Sequence, residues 1–368
     1  MSGISCHAAD KYIDRLIAKG YTVAIAEQLD EPGKGLVRRE IVRFVSPSTT
    51  LSDAIFNERE ARFFAAAFTH DNRFGLALVD VTTGEFLASE YPTHQALIAA
   101  LARSTPKELL VMKSHAKLFR DSGIRLILKE TWFFNEQMAD EALCKHFCIA
   151  SLDAFGFKEE KSAIAAAGAA FFYLQSELSF SLKEIKKLGK IQTDDLLEID
   201  PTTSRHLDLF PTLFSHIDRT ATAMGMRLLK RWLASPLRKK DTILRRQQAV
   251  HALIPAHQLL YNHLKEVRDI APLISRIRYE TAHPRDLSAL GITLQALPRI
   301  KENIRTINND YMRDLNANIK DFDTLASRLE CALNDTLPLR LSDGGVIRSG
   351  YSWELDEWRN TQLRAVPQ

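Results

Sequence analysis

Cysteine is scarce in this 368-residue chain, which holds four: Cys6, Cys144, Cys148 and Cys331. That excludes a disulfide-stapled secreted scaffold and points to a reducing compartment, the cytoplasm. No apolar signal region opens the chain, and no uncharged apolar run reaches the roughly 18 residues that suggest a membrane helix. Motifs for bond-making chemistry are missing too. There is no G-x-x-x-x-G-K-[ST] loop, because Gly33-Lys34-Gly35 lacks both the upstream glycine and the hydroxyl that would hold magnesium. There is no G-x-S-x-G elbow and no H-E-x-x-H zinc helix. The chain is therefore expected neither to bind nor to hydrolyse ATP, and to carry no catalytic residue, cofactor or metal of its own.

What is present is an ordinary globular composition, 45% hydrophobic and 26% charged, long enough for two or three domains. A net charge of +3 does not by itself declare a nucleic-acid partner. Its distribution says more. Residues 227 to 246 hold eight Lys or Arg against Asp241 alone, an excess that suits phosphates as well as a solvated helix face. Within that stretch a helical projection puts Leu228, Leu229, Trp232 and Leu233 with Met224 on one side, and Arg227, Lys230 and Arg231 on the other. Trp232 is expected to be buried there.

Period and punctuation divide the chain into α/β and mainly α parts. Ala9, Tyr12, Ile13, Leu16 and Ile17 repeat at helical spacing before Gly20, and β-rich runs follow from Tyr21 and from Val37. One helix and two or three strands in some 50 residues enclose little core, so residues 1–52 read as the tail of a larger domain. Between 53 and 152, strands at Phe63–Phe68, Gly75–Val81 and Glu85–Ser89, a helix from His94 to Arg103 and a strand at Leu109–Met112 suggest a ribonuclease-H-like layer structure. From 153 to 368 helices dominate: an Ala- and Phe-rich one at Ser162–Leu178, one capped by Asp241, and one with Pro284 in its first turn burying Leu287, Leu290 and Leu294. A long-helix bundle is the expectation, with Phe322, Leu325, Leu329 and Leu333 sharing a face.

Four constellations invite chemistry. Asp80, with Glu85 and Glu108, matches the carboxylates of a two-metal nuclease, although Asp beside Thr82-Thr83-Gly84 is also ordinary turn chemistry. Cys144 and Cys148 flank His146, short of the four ligands a structural zinc needs. His206 and His283 stand alone, as capping or core histidines do. Asp343-Gly344-Gly345 is either an anion-accepting nest or, more commonly, a turn between helices.

The stretch from Glu198 to Leu237, EIDPTTSRHLDLFPTLFSHIDRTATAMGMRLLKRWLASPL, resembles the start of the core, or lever, domain of the MutS family of DNA mismatch-recognition proteins. Other segments agree in order: Gly3–Ala8, Val23–Gln28 and Val42–Thr49 near the start, then Thr281–Leu287, Asp343–Tyr351 and Glu354–Glu357. The resemblance implies the end of a mismatch-binding domain (1–52), a connector (53–152) and a core cut before the clamp (153–368). It further implies a parent protein that dimerises around mispaired double-stranded DNA, works with a MutL-like repair partner, and carries an aromatic wedge before Met1 and an ATPase after Gln368. Ser5-Cys6, Ala26 and Ser46-Pro47-Ser48 depart from the family's usual residues. A serine where Gly is usual at 48 costs about 1 kcal/mol if the turn needs positive φ. Candidate DNA-backbone contacts are Lys34, Arg38, Arg39, Arg227, Lys230 and Arg231. Two rival readings stay open: a non-enzymatic remnant or interaction scaffold, and a metal-dependent nuclease built on Asp80.

Overall fold

The computed structural model describes residues 3, 4, 6–28, 39–50, 62–183, 185–191, 195–197, 199–338 and 341–365. The chain forms two compact units, Met1–Arg219 with Met226–Arg238, and Thr220–Gly225 with Lys239–Gln368.

In the first unit, α1 (Cys6–Ala18) precedes an antiparallel pair, β1 (Val23–Gln28) and β2 (Arg39–Val45), with a bulge between Ile25 and Ala26. Its apolar side is thinly covered. Ile17 is buried, while Tyr12, Leu16, Tyr21 and Ile41 stay exposed.

A six-stranded sheet follows. Its strands are β3 (Phe64–His70), β4 (Arg73–Asp80), β5 (Glu85–Tyr91), β6 (Glu108–Met112), β7 (Arg125–Lys129) and β8 (Gly189–Lys190), with α2 (His94–Ser104) between β5 and β6. The spatial order is β7-β6-β3-β4-β5-β8, with β3-β4-β5 antiparallel and β6 and β7 parallel to β3. Both faces are buried, as the period of two requires. Phe64, Ala66, Ala77, Val79 and Leu110 face one core, while Ala65, Ala67, Leu76, Leu78 and Leu109 face the other. α2 and Phe119 close the second core. The first is closed by α3 (Glu136–Phe147) and α4 (Lys161–Phe172), the latter buried at every position from Ser162 to Phe171. Small side chains let these layers approach closely. A Cβ on Gly75 of β4 would lie 1.9 Å from the Ser162 carbonyl oxygen, and one on Gly168 of α4 would lie 2.1 Å from the Ala139 Cβ.

Several expectations need correction. α4 and Leu178, Leu182, Ile185 and Leu188, all past residue 153, pack into the sheet's core. The Ala-rich helix ends at Phe172 and continues as a π turn, Tyr173–Glu177. β7 has no alternating pattern to announce it. As an edge strand it needs only one buried neighbour, so RLILK between charges suffices.

Beyond the sheet come α5 (Pro201–His206), α6 (Phe214–Ile217) and α7 (Ala223–Ala234). The chain passes between the two units within α7. The expected face of α7 is rotated: Met226 is buried, Trp232, Leu229 and Leu233 are half-buried, and Leu228 is exposed. Trp232 is therefore no core tryptophan.

The second unit contains α8 (Lys240–Leu253), α9 (His257–Leu264), α10 (Ile270–Arg278), α11 (Pro284–Arg305), α12 (Asp310–Asn318), α13 (Asp323–Ala332) and α14 (Trp353–Ala365). α11, at 22 residues, is the long one, and the rest are short for the expected long-helix bundle. Its start follows the sequence signals: Pro284 at N1, with His283 and Asp286 forming a reciprocal capping box. Of its expected core leucines, Leu294 is buried and Leu287 and Leu290 are half-buried. Ala249, Leu260, Ala296, Ile300 and Met312 form the core, with Met224 packed against it. α8 begins at Lys240 with no side-chain cap, so Asp241 acts as a first-turn acid instead. Of the expected α13 face, Leu333 is buried and Leu329 half-buried, while Phe322 and Leu325 are exposed and Ala326 is buried instead.

Candidate coupling site at one end of the sheet

Antiparallel and parallel pairing bring particular residues to one end of the sheet. β3, β5, β6 and β7 start there and β4 finishes there, which aligns Arg125, Glu108, Asp80 and Glu85 across neighbouring strands, with Arg62 just before β3. Three of these residues had been considered as metal ligands. Asp80 and Glu108 are committed to protein donors instead.

Asp80 is buried, and its Oδ1 accepts from the Thr82 amide (2.9 Å), the Thr82 hydroxyl (2.6 Å) and the Thr83 amide (3.3 Å), while Oδ2 accepts from the Arg62 amide at 3.4 Å. A carboxylate filled by its own hairpin is turn chemistry. The first strand of this sheet, β3, carries no carboxylate at all. Among the described residues no three of His, Cys, Asp and Glu gather as a metal group. The nuclease built on Asp80 is thereby corrected.

Glu108 has no exposed side-chain surface. Its Oε2 accepts from the Ser46 hydroxyl at 2.6 Å, the Ser48 amide at 3.2 Å and the Ser48 hydroxyl, and its Oε1 from Arg125 Nη1 at 2.9 Å. Arg125 Nη1 also reaches the Thr22 hydroxyl at 3.3 Å, and Arg62 Nη1 donates to the Thr50 carbonyl at 3.0 Å. The Ser46–Thr50 turn is itself closed, with the Thr49 and Thr50 amides both donating to the Ser46 carbonyl at 3.1 Å. A buried carboxylate is tolerable because every donor points at it, and losing one partner of such a set costs about 3–5 kcal/mol. Ser48 is not among the residues with positive φ, so the expected turn penalty does not arise. It supplies two of the donors instead. No periodicity or motif could have announced this node, since its members lie about 60 residues apart in sequence.

At the other side of the row, burial pushes the Glu85 carboxyl above its ordinary value. The positive charge of Arg231 opposes this, Asp80 reinforces it, and Arg227 and Lys187 also oppose it. Arg227 and Arg231 of α7 thus act electrostatically on a carboxylate of the same chain. Lys230 Nζ lies 5.7 Å from the Phe210 ring centroid. Of the remaining expected DNA contacts, Arg39 is exposed at the start of β2, and Lys34 and Arg38, with the rest of Gly33-Lys34-Gly35, lie outside the described residues.

Three matches to known domains run along the chain in order: MutS domain I over residues 1–54, MutS domain II over 62–186 and MutS domain III over 192–365. The chain belongs to the MutS family. A DNA mismatch repair protein MutS of Protochlamydia amoebophila (strain UWE25) is 34% identical across 98% of the chain, and the chain spans 44% of that relative's length. In MutS terms, the polar row draws on all three domains: Ser46 and Ser48 from the first, Asp80, Glu85, Glu108 and Arg125 from the second, and Arg227 and Arg231 from the third.

The other singled-out residues do not join it. Cys144 is partly buried, with its thiol pushed up chiefly by burial and then by Asp140, whereas Cys148 sits past the end of α3 in a left-handed cap. The two thiols thus leave the helix differently, and His146 Nε2 pairs with the Ile185 carbonyl at 2.9 Å. His206 ends α5 exposed, and His283 caps α11. Gly344 and Gly345, at φ +70° and +69°, form the turn expected of Asp343-Gly344-Gly345. No helix among the described residues is long and apolar enough to cross a membrane.

Proposed function

We propose that this chain is the recognition-side portion of a MutS-like DNA mismatch repair protein, joining part of the mismatch-binding domain to the connector and the core. The observation that carries this is the ordered run of three MutS domains with a curated relative matched across 98% of the chain. The α/β unit is read as a ribonuclease-H-like connector, supported by three antiparallel strands followed by a helix and two strands parallel to the first. We place its boundary with the core between the second and third matches, after residue 186. The parent protein would bind mispaired double-stranded DNA, form a homodimer, engage a MutL-like partner and act in the cytoplasm. Its ATP and magnesium chemistry would reside in a domain this chain does not contain.

Reading a mispair requires a wedge that exploits its lower unstacking cost, whereas phosphate contacts only position a protein. With Arg227 and Arg231 opposed to Glu85, the better backbone candidates are Arg39 and its neighbours Lys34 and Arg38. DNA binding by the chain alone is therefore expected to be weak, of the order of 10⁻⁴ to 10⁻⁶ M, and steeply salt-dependent. Matched and G·T-mismatched duplexes titrated at two salt concentrations should bind equally. A mismatch preference above about tenfold, or indifference to salt, would overturn this division of labour. Complete absence of binding at low salt would favour the scaffold reading.

A further inference from the structure

The Glu108 node joins two parts of the chain through a set of buried polar ties. Residues 22–50 supply Thr22, Ser46, Ser48 and Thr50, and the sheet end supplies Glu108, Arg125 and Arg62. Both Glu108 oxygens are taken, one by the turn and one by Arg125. Arg125 also touches Thr22, which lies at the same end of the β1–β2 pair as Ser46 but on the other strand, since Val23 and Val45 are register partners. The pair is therefore gripped at both chains of one end.

We propose that Glu108 is a positioning residue, which fixes the orientation of the β1–β2 segment on the connector sheet by an all-or-none polar latch. The physical reason is the asymmetry of buried charge. If the Ser46–Ser48 turn lifts away, Glu108 loses three donors at once and must take up water, so partly lifted states are disfavoured and the segment is held in one pose or released. A hydrophobic contact of the same size would allow sliding, because apolar packing is not directional. Apolar cover of the segment is partial: Phe44 packs against the sheet's core and Ile17 and Val45 are buried, while Tyr12, Leu16, Tyr21 and Ile41 are exposed, so the latch adds a directional restraint that this packing lacks. For a role in repair this inference rests on the MutS-like reading above, with the latch setting where the mismatch-binding domain stands relative to the connector.

The test uses the full chain, with its four cysteines replaced by alanine and spin labels attached through new cysteines at Lys11 and Lys117. Pulsed dipolar spectroscopy should give one narrow distance distribution in the parent. Glu108→Gln, and separately Ser46→Ala with Ser48→Ala, should broaden or split it and lower hydrogen-exchange protection of β1 and β2 by about tenfold, with β3 and β4 unchanged. The serine pair keeps the Glu108–Arg125 bond, so it carries the test if Glu108→Gln does not fold. A single unchanged distribution in the serine variant, or equal loss of protection in β1–β2 and β3–β4, would overturn the latch and leave Glu108 a general stabiliser. DNA titration is blind to this outcome, so failure of the repair reading and failure of the latch are separable.

Discussion

An alanine at Gly75 would place its Cβ 1.9 Å from the carbonyl oxygen of Ser162, 2.2 Å from that carbonyl carbon and 2.7 Å from the Ala163 nitrogen. All three are backbone atoms of the first turn of α4, so no side chain can rotate out of the way. The helix start must move off β4. It is pinned there by the Ser162 amide, which donates to Glu90 Oε2 at 3.0 Å. Overpacking costs about 1–3 kcal/mol and a lost hydrogen bond to a charged acceptor about 1.5–3 kcal/mol, against about 0.5–1 kcal/mol regained by stiffening a glycine in a strand, for a net loss of about 3 kcal/mol. Gly123→Ala is the control. Its φ is +69° but its Cβ would meet nothing within 4 Å, so only the backbone cost of about 1 kcal/mol applies. Because the chain has two units, the measurement should be local: hydrogen exchange at β3 and β4 amides across a urea series, with circular dichroism as a global check. A Gly75→Ala loss within about 1 kcal/mol of wild type, or equal to that of Gly123→Ala, would refute the close seating of α4 on the sheet.

Two further predictions concern pH. Burial holds Glu85 protonated above its ordinary value of 4.5, with Arg231 opposing and Asp80 assisting. The folded state thus binds this proton more tightly than the unfolded state, so the associated stability is present below the unfolded value and is lost as pH rises through the folded one. Glu85→Gln should flatten that decline as pH rises above the ordinary value of 4.5 in urea unfolding, and an unchanged slope would show that Glu85 is not held in this way. Tyr173, stacked on Phe64 with ring centroids 5.2 Å apart, has its phenol pushed up to about 12 by burial, then by Glu108 and Glu177, with Arg125 opposing. Here too the neutral form is favoured in the fold, so stability falls as pH climbs from the ordinary value of 10 toward about 12. Tyr173→Phe should remove a late-ionising phenol from an ultraviolet titration, and a titration identical to wild type would count against the buried placement.

Much of the six-stranded sheet was legible because its signals are local. The run FAAAFTH, the turn Val81–Gly84 and the run after Glu85 place the β3–β4–β5 meander within two residues of the expectation, since alternation and turn residues act over a few positions. His283, Pro284 and Asp286 likewise announced the start of α11. β7 and the packing of α4 on the sheet were not legible. RLILK becomes a strand because β6 offers it an edge, and α4 with Leu182 and Leu188 joins the sheet because a sheet needs both faces covered, a demand that no window of the sequence displays.

The candidate site divides the same way. The carboxylates Asp80, Glu85 and Glu108 were picked out correctly as residues of interest, and the sequence by itself determined their strand ends, the family, and the lack of a phosphate-cradling loop. What each carboxylate does was decided only by the fold. Asp80 is claimed by the hairpin beside it, Glu108 by serines about 60 residues earlier, and Glu85 stands opposite arginines of a helix more than a hundred residues later. The α7 face shows the same limit. Its apolar and basic residues could be sorted from the sequence, but which of them would be covered depended on the partners the fold supplied. Charge and hydrogen bonding depend on which groups meet within a few ångströms, and that proximity belongs to the tertiary structure rather than to any spacing along the chain.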